Sequence, residues 1–140
     1  MIKVRSILGL IAGAILILSS AAHSILGWKG LSEKLAHTNV PPDLVFGLKA
    51  GWEFGGLAML AFGIIVIPPF LKRLRGGQAS TFPALVVSIT FFVIGAWALA
   101  ASNFERFFWL FIVIGALLLI GGLPVSSSSG RGESESEYIH

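Results

Sequence analysis

Among the 140 residues of this chain, His23, Lys49 and Glu53 are ionisable side chains set within otherwise apolar stretches. An ionised group near the centre of a bilayer costs on the order of 3 kcal/mol by insertion scales, so such a residue is a candidate for ligand binding, ion passage or proton transfer. If His23 lies near the outer end of one span and the next span begins at the same level, the three groups gather with Trp52, Trp28 and Asn103 at similar depth. That pocket would suit a small polar ligand, a quinone headgroup or a proton-coupled step. A plainer alternative is a structural hydrogen bond between helices, such as His23 to Glu53, or exposure of both groups to interfacial water.

Lys49 and Glu53 are four residues apart, hence side by side on a helix. Gly47, Gly51 and Gly55 form a seam of small residues nearly opposite them. Both faces cannot meet one neighbour. The helix is therefore sandwiched between partners, or the chain oligomerises, or this stretch lies at the interface where lysine can snorkel. At about 100° per residue, Gly9, Gly13, Ser20, His23, Ser24 and Gly27 share a face of the first apolar run. Gly9 and Gly13 open that face to a close neighbour, and the first two spans are expected to form the closest pair.

Other chemistry is not indicated. The chain has no cysteine, and His23, His37 and His140 lack metal-ligand spacing, so no metal site is expected. Only His23 is placed to ligate a haem, and it has no second ligand. No G-x-S-x-G, phosphate-binding glycine loop or H-E-x-x-H occurs, and no basic patch is interleaved with aromatics, so neither a cofactor nor a nucleic-acid partner is expected. Phe104, Phe107, Phe108, Trp109 and Phe111 resemble an interfacial belt or packing surface.

The elements that must position these residues follow from composition. The chain is 55% hydrophobic and 12% charged, with a mean hydropathy of +0.87, whereas soluble domains carry about 25% charged residues. Apolar runs at about 7–28, 44–67, 82–101 and 107–123 predict an all-α, four-helix membrane bundle in residues 1–124. Residues 29–43 are expected to form a short amphipathic segment on the membrane surface, and the second span is expected to stop at Pro68 and Pro69. The polar link from Ser102 to Arg106 makes the last two spans antiparallel.

Lys3 and Arg5 fall on the same side as Lys72, Arg73 and Arg75. The positive-inside rule then puts both termini in the cytoplasm, with a disordered tail at 125–140. Lys3, Arg5, an apolar core and Ser20, Ala21, Ala22 also fit a cleavable signal peptide. The apolar character resumes at Ile25, Leu26 and Trp28, which favours retention.

In size and four-helix plan the chain is similar to the DoxX-like proteins and to the small multidrug resistance transporters. The latter carry a carboxylate in the first helix, which is missing here between Arg5 and Trp28, so no residue role is carried over. The expected function is that of a small multi-pass protein of the bacterial inner membrane, an accessory or assembly subunit packed against itself or a larger complex. The alternative is a small transporter or ligand-binding protein using His23, Lys49 and Glu53, and a third reading is a quinone- or haem-linked protein.

Overall fold

The computed structural model describes residues 2–123, and the expected tail at 125–140 lies outside them. Among the described residues the chain is helical and contains no strand. Helix α1 spans Ile2–Ala22, a π-turn covers His23–Gly27, and α2 spans Trp28–Leu35. They are followed by α3 (Pro42–Leu74), α4 (Phe82–Ala101), a single 3-10 turn at Arg106–Phe108 and α5 (Trp109–Gly122). Three stretches are long and apolar enough to cross a membrane, Ile2–Leu35, Pro42–Leu74 and Phe82–Ala101, while Arg106–Gly122 is apolar but shorter.

Two boundaries differ from the sequence expectation. Residues 29–35 do not form a separate surface element: α2 continues α1 through the π-turn into one rod of 34 residues. At 1.5 Å per residue that rod is about 50 Å long. Nor does the second long helix stop at Pro68 and Pro69, since α3 runs through both to Leu74. Each proline removes a ladder donor. Packing holds the helix in spite of this, because Phe70 beyond them is fully buried and its ring lies on Gly9 of α1. Pro42 sits in the first turn of α3, where its missing N–H would have had no helical partner.

The most extensive packing is between α1 and α3, then between α4 and α5, then between α1 and α5. The central helices are thus α1 and α5, flanked by α3 and α4. Ala12, Leu16, Val66, Phe70, Ala84, Val87, Phe91, Ile114 and Leu118 form the core. Two buried hydroxyls tie α4 to α5: Ser88 Oγ donates to Gly115 O at 2.7 Å, and Thr81 Oγ1 to Gly122 O at 2.6 Å. The outward faces are apolar as well. Leu18 is 72% exposed, Phe54 72% and Trp97 69%, the inverse of a water-facing surface.

Of the glycine seam expected on α3, Gly55 meets a neighbour, the His23 ring, and the other two do not. Nothing lies within 4 Å of where a Cβ would stand on Gly47 or Gly51, and both are exposed. The close approaches are at Gly56, against Ser24, and at Gly63, where a Cβ would stand 2.9 Å from Gly13 O. The reason is axial: Gly47 and Gly51 lie toward the N-terminal end of α3, beyond its contact with the π-turn, and the packing of α2 on α3 is sparse. On α1 both small residues meet α3, Gly9 at Phe70 and Gly13 at Ile67 and Val66.

Candidate functional site

The widened turn at His23–Gly27 sits where α1 faces Trp52 of α3. Its backbone bond runs from Trp28 N–H to His23 O, and the same carbonyl accepts the Trp52 indole Nε1–H at 2.7 Å. In return His23 Nε2 lies 3.1 Å from Trp52 O. A carbonyl can only accept, so Nε2 carries the proton and donates. The two rings stack with centroids 4.4 Å apart and planes 3° from parallel. Each side chain thus bonds the other residue's backbone, clasping α1 to α3. Gly27 and Gly55 make room for it: a Cβ on Gly27 would come 2.8 Å from Trp52 Cζ2, and one on Gly55 would come 3.2 Å from His23 Nε2.

The clasp forms part of the wall of a cleft of about 760 Å³. Met59, Phe91, Phe107, Phe108, Phe111 and Ile114 supply most of its apolar lining, with Ser19 and His23 on the α1 side. Lys34 of α2 and Glu105 of the α4–α5 link are its charged residues, and both are exposed. A volume of roughly 300–1,000 Å³ with an apolar lining and a few polar groups is usual for small-molecule sites. In the neutral imidazole, donation from Nε2 leaves Nδ1 as an acceptor. Nδ1 has no protein partner among the described residues, and no buried side-chain nitrogen or oxygen there lacks one. Nδ1 is therefore reachable from outside the protein.

The residues expected to gather in one pocket instead form two separate pairs, His23 with Trp52 and Lys49 with Trp28. Lys49 is exposed, with Nζ 5.9 Å from the centroid of the Trp28 ring. Glu53 is also exposed and makes no hydrogen bond or ion pair among the described residues, to Lys49 or to His23. Trp52 occupies the face of α3 toward the π-turn, and neither Lys49 nor Glu53 bonds to His23. Asn103 is exposed and does not line the cleft. With φ 54° it turns the chain from α4 to α5, a left-handed conformation that asparagine tolerates better than most residues.

Lys34, Glu105 and the phenylalanine wall were not foreseen as site residues. Phe107, Phe108 and Phe111 do share a helix face by spacing, a signal equally fitted to an interfacial belt. Their rings cluster, with Phe111 also stacked on Phe91 at 5.5 Å. Among the described residues no group of three or more histidines and carboxylates is placed to hold a metal ion. Comparison with protein-family models, curated proteins and solved structures found no match for this chain.

Proposed function

We propose that this chain is a small multi-pass membrane protein that binds an amphiphilic molecule in the cleft beside His23. The observation that carries the reading is that His23 lines an aromatic-walled cavity while its Nδ1 has no protein partner among the described residues and is not sealed off. A hydroxyl-bearing head would donate to Nδ1, and its apolar body would lie against Phe107, Phe108 and Phe111. The clasp to Trp52 fixes the tautomer and the ring plane, so the acceptor is oriented before the ligand arrives.

Membrane placement is supported by the three long apolar helices and by the exposed apolar side chains around them. In this reading the shorter Arg106–Gly122 segment is the fourth span. Lys3, Arg5, Lys72, Arg73 and Arg75 then mark the cytoplasmic side, with both termini there, and the protein belongs in a bacterial inner membrane. His23 lies roughly 27 Å along α1 from Arg5 at 1.5 Å per residue. In this reading the clasp lies close to the outer edge of a hydrocarbon layer about 30 Å thick. The rest of α2 and the start of α3 project beyond it, where Lys49 and Glu53 have access to water. Retention of α1 is supported by its central position, with Ala12 and Leu16 fully buried.

The test is a titration with a brominated para-alkylphenol of a variant keeping Trp52 as its sole tryptophan (Trp28→Phe, Trp97→Phe, Trp109→Phe). Saturable quenching of Trp52 is expected, about tenfold tighter for the phenol than for the same bromoalkylbenzene without its hydroxyl. Linear, non-saturating quenching equal for both compounds would refute the reading.

A second reading, an accessory subunit, draws on Gly47 and Gly51. Their bare face on α3 is flanked by Phe46, 74% exposed. Crosslinking through cysteines introduced at Gly47 and Gly51 should then capture a second helix in native membranes; absence of any adduct would remove this reading.

A further inference from the structure

At the opposite end of the bundle from His23, a second cavity of about 520 Å³ opens among Arg5, Arg73 and the loop from Gly77 to Ser80. We infer that this cavity is a binding site for a phosphate group, supplied by the headgroup of an anionic phospholipid.

Three observations converge on an anion. First, Arg73 is anchored by one donor only: its Nε donates to Ala79 O at 3.1 Å, and its Nη groups have no protein acceptor among the described residues. A guanidinium held by Nε presents its remaining N–H groups as a fork suited to phosphate oxygens. Second, the backbone N–H groups of Gln78, Ala79 and Ser80 also donate to no protein acceptor among the described residues. They belong to the loop that lines the cavity. This loop is held in place rather than loose: Gly77 N–H bonds Lys72 O at 2.9 Å, and Thr81 Oγ1 is buried on Gly122 O. Gly76, at φ 86°, makes the reversal that brings it back beside α3.

Third, among the described residues the charge at this end is of one sign: Lys3 and Arg5 on α1 and Lys72, Arg73 and Arg75 at the end of α3 lie here, and the described segments 2–9, 70–82 and 121–123 contain no Asp or Glu. Arg5 is also tied to the far end of α5, its Nη1 lying 3.4 Å from Leu123 O. The cavity is therefore braced by α1, by the end of α3 and by the loop that follows it. Basic pockets between helices on the cytoplasmic side are the usual seats of anionic headgroups. Apolar side chains exposed beside it, Ile2 and Val4 among them, supply a surface for acyl chains. A lipid headgroup and a free phosphate share the same chemistry at the arginines, but only the lipid uses that surface. The inference rests on the membrane placement proposed above and is independent of the cleft at His23.

Native mass spectrometry of the detergent-solubilised full chain, titrated with phosphatidylglycerol or phosphatidylcholine, tests the inference. Phosphatidylglycerol should bind about tenfold more tightly than phosphatidylcholine. The preference should vanish in Arg5→Gln/Arg73→Gln, survive weakened in Arg5→Lys/Arg73→Lys, and be unchanged in Arg75→Gln. Equal binding of the two lipids by the wild type, or an undiminished preference in the double glutamine variant, would overturn the site. Loss in both double variants alike would overturn the charge-based account and leave the arginines a purely structural role. Displacement of phosphatidylglycerol by equimolar inorganic phosphate would overturn the lipid assignment in favour of soluble phosphate. If the chain does not span a bilayer at all, reconstituted vesicles would leave every loop open to protease from one side, a result separate from the lipid preference.

Discussion

His23 and Trp52 hold each other across the α1–α3 contact through two hydrogen bonds of opposite direction and a stacked pair of rings. Neither bond joins two side chains: each runs from a side chain to the other residue's backbone. The pair can therefore be taken apart one bond at a time. Trp52→Phe keeps an aromatic ring over His23 while removing the indole donor and a part of the ring area, and His23→Phe keeps a ring while removing the imidazole donor. Each should destabilise the protein by about 1 kcal/mol, the usual net worth of a hydrogen bond. Trp52→Ala, which also removes the stacked ring, should cost about 3 kcal/mol. Thermal unfolding in detergent, followed by circular dichroism, measures all three; a Trp52→Phe variant as unstable as Trp52→Ala would show that the indole hydrogen bond outweighs ring packing.

The glycines of α3 divide into two groups with opposite expected responses. Gly63→Ala would place a methyl group 2.9 Å from Gly13 O and 2.6 Å from Ile17 Cγ1, so the helices must separate, at a cost of about 1–3 kcal/mol. Gly56→Ala meets Ser24 and should behave alike. Gly47→Ala and Gly51→Ala enter open space and should stabilise the helix by up to about 1 kcal/mol through propensity alone. Melting temperatures of the four variants decide the matter, and a destabilising Gly47→Ala in a monodisperse monomer would contradict the packing described.

The two buried hydroxyls between α4 and α5 should differ in worth. Gly115 O lies mid-helix and keeps its helical partner when Ser88 is lost, so Ser88→Ala should cost about 1 kcal/mol. Gly122 ends α5, where a carbonyl has no helical partner. Thr81→Val leaves that oxygen buried and unpaired, and the cost should rise to about 2–3 kcal/mol. Denaturant titration of the two variants gives the order, and a larger loss for Ser88→Ala would reverse the assignment.

The helical character and the position of the apolar segments were legible in the sequence because apolar runs of this length have few other solutions. The small face of α1 was legible too, since Gly9 and Gly13, four apart on a regular α-helix, both meet α3. What escaped was set by tertiary context. Spacing alone picked the more regular glycine row at Gly47, Gly51 and Gly55, but contact depends on where along α3 a neighbour exists, and α2 hardly reaches the first two. Pro68 and Pro69 mark a helix end only where nothing beyond them is packed, and Phe70 is. At the site, the ionisable residues drew attention, yet His23 takes its partner from the backbone of Trp52, an acceptor that every residue carries and no pattern reveals. Phe107, Phe108 and Phe111 were visible as a cluster, but their facing the cleft depends on how α5 and the 3-10 turn before it pack against α1 and α4.

In the proposed function His23 keeps Nε2 for Trp52 and offers Nδ1 to a ligand. Nitrogen-15 NMR of histidine-labelled protein in nanodiscs, with His23 assigned through His23→Phe, reads both ring nitrogens directly. Before any ligand is added, the Nε2 signal should be that of a protonated donor and Nδ1 that of a bare acceptor. On adding the para-alkylphenol, Nδ1 should shift toward a hydrogen-bonded acceptor while Nε2 stays in place. A proton found on Nδ1 at the outset, or an Nδ1 signal that does not move with saturating phenol, would contradict it.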